Sequence, residues 1–72
     1  MNQYLNKSGN SPVTNYQIGS DYIIVRFKGN KDYKYSYNGK AGKEKVDIMK
    51  SLAISGSGLS AFITKNAKMD YD

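Results

Sequence analysis

The sequence predicts an α+β fold: a three-stranded antiparallel β-meander followed by one amphipathic helix and a short C-terminal helix. In the centre of the chain, aromatic or β-branched residues alternate with charged ones, and glycine-containing turns separate these runs. The apolar spacing then changes from two residues to three and four, which is typical of a helix. We expect one domain over residues 14–67, between a flexible N-terminal tail (residues 1–13) and a frayed C-terminus (residues 68–72).

Three apolar runs predict the strands. The first is short, Tyr16–Ile18, and turns through glycine into a second, Tyr22–Lys28. The third, Tyr33–Tyr37, alternates strictly between tyrosine and polar residues. Upstream of these runs the chain is dominated by Asn, Ser, Gly and Thr, so we expect little order before Val13.

The register between the second and third strands decides where the tyrosines point, because a one-residue slip moves every side chain to the other face. A three-residue loop from Gly29 to Lys31 pairs Phe27 with Tyr33 and Val25 with Tyr35, which places the tyrosines on the apolar face. A two-residue loop pairs Arg26 with Tyr33 and exposes the tyrosines beside the cations. The first register is favoured because it leaves one face apolar and the other charged.

Helical spacing begins after a glycine-rich loop at residues 38–42. The apolar residues that show this spacing are Val46, Met49, Leu52 and Ala53. They predict a helix from about Lys43 to Ile54 that ends at Gly56, since glycine favours the left-handed backbone at a helix C-terminus. A further element, Leu59 to about Asn66, is interpreted as a helix, with a strand as the alternative.

The net charge of +5 arises entirely between residues 26 and 45, where tyrosines stand among the cations. Amines contact phosphates and aromatic rings stack on bases in proteins that bind single-stranded nucleic acid. The residues predicted to bind RNA or single-stranded nucleic acid are Arg26, Lys28, Lys31, Tyr33, Lys34, Tyr35, Tyr37, Lys40, Lys43 and Lys45. The alternative is that the lysines only solvate the surface and protect sheet edges from unwanted pairing.

Two other binding functions remain open. The same basic stretch suits a protein–protein interaction module, an inhibitor or adaptor that docks an acidic partner. A small anionic ligand is the third hypothesis, through a phosphate-binding turn at Gly56-Ser57-Gly58. No Gly-Lys-Ser/Thr follows this turn, so it is not a P-loop. A helix C-cap followed by a serine N-cap explains it equally well.

The absence of cysteine and histidine narrows the chemistry. Disulfides are excluded, and the commonest zinc ligand and general base are missing. None of the acidic residues lies in an apolar run that would raise its pKa, so we expect no enzymatic activity, metal or cofactor. The longest apolar run, Tyr22–Val25, is far shorter than the roughly 20 residues of a membrane span. We expect a cytoplasmic protein without membrane contact, for which a homodimer is a candidate means of stabilising a small core.

Several short motifs resemble the KTSC domain, a family named for its occurrence at the C-terminus of some lysyl-tRNA synthetases and also found as a stand-alone bacterial protein. The matching positions are Ile18-Gly19, Ile23-x-Val25-x-Phe27, Gly29, Tyr33-x-Tyr35 and Ala53–Gly58. Tyr35-x-Tyr37 also fits the central motif. The resemblance implies a β-meander with a helix. It implies no established activity, although the synthetase association suggests RNA binding.

Overall fold

Four antiparallel strands form one sheet in the order β1-β2-β3-β4. The computed structural model describes residues 1–72. The strands are β1 (Asn2–Gln3), β2 (Val13–Ile18), β3 (Tyr22–Phe27) and β4 (Lys31–Ser36). The α+β class is confirmed, but the sheet has one strand more than the sequence predicted.

Two helices and a π-helical turn follow the sheet: α1 (Gly42–Ser55), α2 (Leu59–Phe62) and the turn Ile63–Ala67. α1 ends at Gly56, whose φ of 83° is left-handed and whose N–H donates to the carbonyl of Leu52. Both helix predictions are confirmed, and the alternative of a strand after Leu59 is wrong.

The N-terminal segment is part of the fold, contrary to the expectation of little order before Val13. Residues of β1 pair with β2, Asn2 opposite Tyr16. Tyr4 is only 3% exposed, and its hydroxyl accepts a hydrogen bond from the Leu59 N–H at 3.3 Å. This pairing joins segments that are distant in the chain, so it cannot be predicted from the polar composition of the first residues.

The core lies between one face of the sheet and the helices. The fully buried members from the sheet are Val13, Ile23, Val25 and Tyr35, and those from the helices are Val46, Met49, Ala53 and Leu59. The three buried α1 residues recur at intervals of three and four, so they occupy one helical face. Removing these apolar side chains from water is the main driving force that holds α1 against the sheet.

The β3–β4 hairpin has a register that differs from both predicted ones. Val25 pairs with Tyr33 and Ile23 with Tyr35, a shift of two residues from the favoured register. A two-residue shift keeps every side chain on the same face, so the tyrosines do share the apolar face with Val25. The turn comprises residues 28–30, and Gly29 and Asn30 both have positive φ. Glycine and asparagine tolerate that conformation best, which explains why the turn forms there.

Candidate nucleic-acid interface

Three of the seven predicted cations are bonded to carboxylates. Arg26 donates two hydrogen bonds to Asp32, at 2.8 and 3.1 Å. The hydrogen bonds raise the pKa of Arg26 and lower that of Asp32. Lys45 bonds to Asp70 at 2.7 Å. The third pair, Lys43 with Asp47 at 2.9 Å, spans one turn of α1. Each of these three cations must therefore break an ion pair before it binds a ligand.

Tyr37 belongs to a polar cluster that ties the β4–α1 loop to α1. Its hydroxyl donates to Asp47, and Lys50 donates to the same hydroxyl at 3.2 Å. The hydrogen bond from Tyr37, followed by the one from Lys43, lowers the pKa of Asp47. The ammonium groups of Lys50 and Lys43 also lie 4.7 and 5.4 Å from the Tyr37 ring centroid. Two ammonium groups therefore lie over the Tyr37 ring, and its stacking on a base stays a prediction.

Tyr35 is a core residue. Its exposed fraction is 1%, and burial raises the pKa of its phenol to about 12. It packs in the same buried cluster as Ile23 and Val25. A ring enclosed in this way is unavailable for stacking, so the structure contradicts the predicted role of Tyr35.

The four predicted lysines without a carboxylate partner do not form one patch. They are Lys28, Lys31, Lys34 and Lys40, all exposed. Lys28 lies in the hairpin turn and Lys31 follows it, whereas Lys40 follows the far end of β4, about 20 Å away for a six-residue strand. Lys31 and Lys34 are three residues apart on the strand, so alternation directs them to opposite faces. The continuous basic surface implied by the sequence is absent.

Tyr33 lines an aromatic pocket of about 310 Å³ between β3, β4 and the C-terminal segment. Its ring meets Phe27 edge-on, with centroids 5.6 Å apart, and lies 4.9 Å from the Tyr71 ring at a tilt of 50°. The residues that line this aromatic pocket are Phe27, Tyr33, Tyr35, Ile63, Thr64, Lys68, Met69 and Tyr71. It is open to solvent at Tyr33 and Tyr71, which are half-buried, and at Met69, which is 66% exposed.

Two lysines lie beside the aromatic pocket. Lys68 lines it directly, and Lys31 pairs with Phe27 on the strand next to it. Lys31 is two residues from Tyr33, so alternation places both side chains on the same side of β4. Neither Lys31 nor Lys68 bonds to a carboxylate. Aromatic walls and unpaired ammonium groups are therefore adjacent at this end of the sheet.

The C-terminal residues supply the part of the site that the sequence analysis missed. They were expected to fray, yet the Asp72 N–H donates to the Lys34 carbonyl at 2.7 Å. The Ser36 hydroxyl donates to the Asp72 carboxylate, also at 2.7 Å, and Tyr71 packs on Tyr33. The only signal available in the sequence was the presence of two apolar side chains, Met69 and Tyr71, among the last five residues.

A second aromatic residue with a cation beside it lies on the open face of the sheet. The Tyr22 ring covers Gly19 so closely that a Cβ at that position would overlap the ring. Lys34 places its ammonium 4.9 Å from the Tyr22 ring centroid, and Gln17 donates to the Tyr22 hydroxyl at 3.3 Å. Tyr22 is one ring, whereas four aromatic residues line the aromatic pocket, and three of them (Phe27, Tyr33 and Tyr71) are partly exposed.

The glycine turn predicted as an anion site borders a separate cavity of about 340 Å³. Its walls are Ser8, Asn10, Ser11, Gly58, Ser60 and Ala61. No lysine or arginine lines it, so it lacks the positive charge that would favour a small anion. Gly56 caps α1 and Gly58 precedes α2, both with left-handed backbone, which accounts for the turn structurally.

Comparison with known proteins adds no further constraint on the site. No cluster of three or more Asp or Glu side chains is placed to hold a metal ion. No helix is both long and apolar enough to cross a bilayer. The resemblance to the KTSC domain stays a prediction. The chain matches no protein-family model, no curated protein and no solved structure.

Proposed function

We propose that this chain is a non-catalytic module that binds RNA or another single-stranded nucleic acid, and that the aromatic pocket and its lysines form the binding site. The observation that carries the proposal is an open pocket walled by Phe27, Tyr33 and Tyr71 beside Lys31 and Lys68, which no carboxylate neutralises. The KTSC resemblance, through its association with lysyl-tRNA synthetases, favours RNA over DNA.

The pocket suits one base better than a larger ligand. Its volume of about 310 Å³ lies at the lower end for ligand sites, which run from about 300 to 1,000 Å³. Six of its eight lining residues are hydrophobic, so a base that enters exchanges water for aromatic contact. Stacking on an aromatic side chain contributes about 1–3 kcal/mol per base without selecting the base strongly.

Lysines near the pocket supply the contacts to phosphates. Lys28, Lys31 and Lys68 are exposed and have no acidic partner. Each phosphate contact to a single strand adds about 0.7 to the slope of log affinity against log salt. Three contacts therefore imply a slope of about −2, and binding that weakens as salt rises.

The test is fluorescence anisotropy of a labelled oligonucleotide of about ten nucleotides, RNA or DNA, across a salt series. The double variant Lys31→Gln/Lys68→Gln is expected to weaken binding and to reduce the slope by about 1.4. Lys7→Gln/Lys40→Gln removes the same charge away from the aromatic pocket and serves as the matched control. No binding at micromolar protein and low salt would refute the proposal, and so would equal losses in the two variants.

A protein partner is the second candidate, and one observation favours it. β4 is an edge strand, and the Lys34 carbonyl already accepts a backbone hydrogen bond from Asp72. An extended acidic peptide is able to pair with such an edge in the same way. Pull-down from a nuclease-treated lysate separates the two candidates, because partners held through nucleic acid vanish and direct protein partners persist.

A further inference from the structure

The segment Asp70-Tyr71-Asp72 occupies one side of the site. Its aromatic ring lies against Tyr33, with centroids 4.9 Å apart. The Asp70 carboxylate accepts from Lys45 at 2.7 Å, and the Asp72 carboxylate accepts from the Ser36 hydroxyl at 2.7 Å. Tyr71 thus packs on the Tyr33 ring, while the carboxylates on either side of it contact an ammonium of α1 and a hydroxyl of β4.

This order of groups matches the order in a nucleic-acid strand, where each base stands between two phosphates. Stacked rings and anions on amines are also the contacts that single-stranded nucleic acid makes with proteins. The same groups of the site, the Tyr33 ring and the Lys45 ammonium, therefore suit either the segment or a nucleotide. Both cannot hold them at once.

We propose that residues 70–72 are an intramolecular mimic of a nucleotide, which competes with nucleic acid for the aromatic pocket and is displaced when the ligand binds. This inference rests on the proposed function and adds regulation to it. In the bound state a base takes the place of the Tyr71 ring against Tyr33, so Tyr71 is a wall of the pocket only in the free protein. Displacement also frees Lys45, which becomes a phosphate ligand only in the bound state.

The bonds that hold the segment are of a kind that a ligand can replace. The Lys45 and Asp70 side chains are 40% and 27% exposed, so water and salt screen their attraction. Only two backbone hydrogen bonds anchor the segment, from Asp72 to Lys34 of β4 and from Asp70 to Ala67 of the π-helical turn. The segment is therefore held locally and opens without unfolding the core.

The first experiment compares two charge-matched double variants in the anisotropy assay. Asp70→Asn/Asp72→Asn removes the two side-chain carboxylates of the mimic but keeps its shape. Asp21→Asn/Glu44→Gln removes the same charge from two exposed acids that form no ion pair. The first variant is expected to bind an oligonucleotide about tenfold more tightly than the control, within the usual range of coupling between sites. Equal affinities of the two variants would overturn the inference.

The second experiment follows the segment itself by NMR of the full chain. In the free protein the Asp72 amide is hydrogen-bonded and should be protected from exchange. A saturating unlabelled oligonucleotide is expected to remove that protection and to shift the Tyr71 amide toward its random-coil position. Binding that leaves Asp72 protected would overturn the mimic but not the proposed function.

Failure of the proposed function has a different outcome. In that case no oligonucleotide binds wild type or Asp70→Asn/Asp72→Asn, and the inference falls with it. A third result identifies a protein site: an acidic peptide that displaces Asp72 where the oligonucleotide does not would also overturn the mimic of a nucleotide.

Discussion

The buried phenol of Tyr35 makes the stability of this fold sensitive to alkaline pH. Burial, then the nearby Tyr33 and Tyr71 phenols and Asp70, raise the pKa of Tyr35 from 10.0 to about 12 in the folded protein. Below pH 10 both folded and unfolded chains keep the phenol proton. Between the two pKa values the unfolded chain loses this proton and the folded chain keeps it, so the free energy of unfolding falls as pH rises.

The size of the loss follows from the shift. One pKa unit corresponds to about 1.36 kcal/mol, so the shift of Tyr35 predicts a loss of about 1 kcal/mol by pH 11 and about 3 kcal/mol well above pH 12. The variant Tyr35→Phe removes the titrating group and keeps the ring. Its stability should therefore fall less over the same range, by about those amounts.

Urea unfolding followed by circular dichroism, for wild type and Tyr35→Phe at pH 8, 9, 10 and 11, measures the difference directly. The other six tyrosines are common to both proteins and cancel in the comparison. Parallel pH profiles for the two proteins would show that the Tyr35 phenol is solvated in the folded state. That result would refute its placement in the core.

Three further predictions concern the parts of the fold that support the site, and all use urea unfolding. Gly56→Ala should destabilise more than Gly9→Ala, since both have positive φ but only the Cβ at Gly56 meets Leu5, at 2.6 Å; equal losses would contradict the contact. Wild type should lose stability as pH falls through the lowered pKa of Asp47, because that carboxylate is stabilised only while ionised; Asp47→Asn should show a flatter acid profile, and identical profiles would count against the Tyr37 cluster. Tyr4→Ala should lower the free energy of unfolding by about 3–5 kcal/mol, as for other buried aromatic residues. A loss below about 1 kcal/mol would indicate that the N-terminal segment is not packed on the core.

Features set by neighbouring residues were predictable from the sequence. The predicted helix, Lys43 to Ile54, is within one residue of α1 at each end, because both the apolar spacing and the terminal glycine are local. The face of the tyrosines in β4 was also correct, since alternation fixes it. The register was wrong by two residues because it depends on which residues adopt positive φ in the turn. The turn ends at Asn30, which has a positive φ, and not at Lys31. The alternation of apolar and polar residues does not indicate which of the two ends the turn.

Features that join distant segments were not predictable. β1 and Tyr4 are ordered by contacts with β2 and α2. No pattern in the first thirteen residues predicts those contacts. The charge count treated the cations between residues 26 and 45 as one set. The fold instead bonds Lys45 to Asp70, an acid 25 residues away, and brings Tyr71 to Tyr33. Summing charge along a segment cannot detect neutralisation of this kind.

The location of bound nucleic acid tests the central claim most directly. An isotope-labelled chain titrated with a short single-stranded oligonucleotide reports contacts residue by residue through its NMR chemical shifts. The account predicts the largest shifts in the side chains of Phe27, Tyr33, Lys31 and Lys68, around the aromatic pocket. Shifts confined to Tyr22 and the open face of the sheet would contradict it, and so would a spectrum that saturating oligonucleotide leaves unchanged.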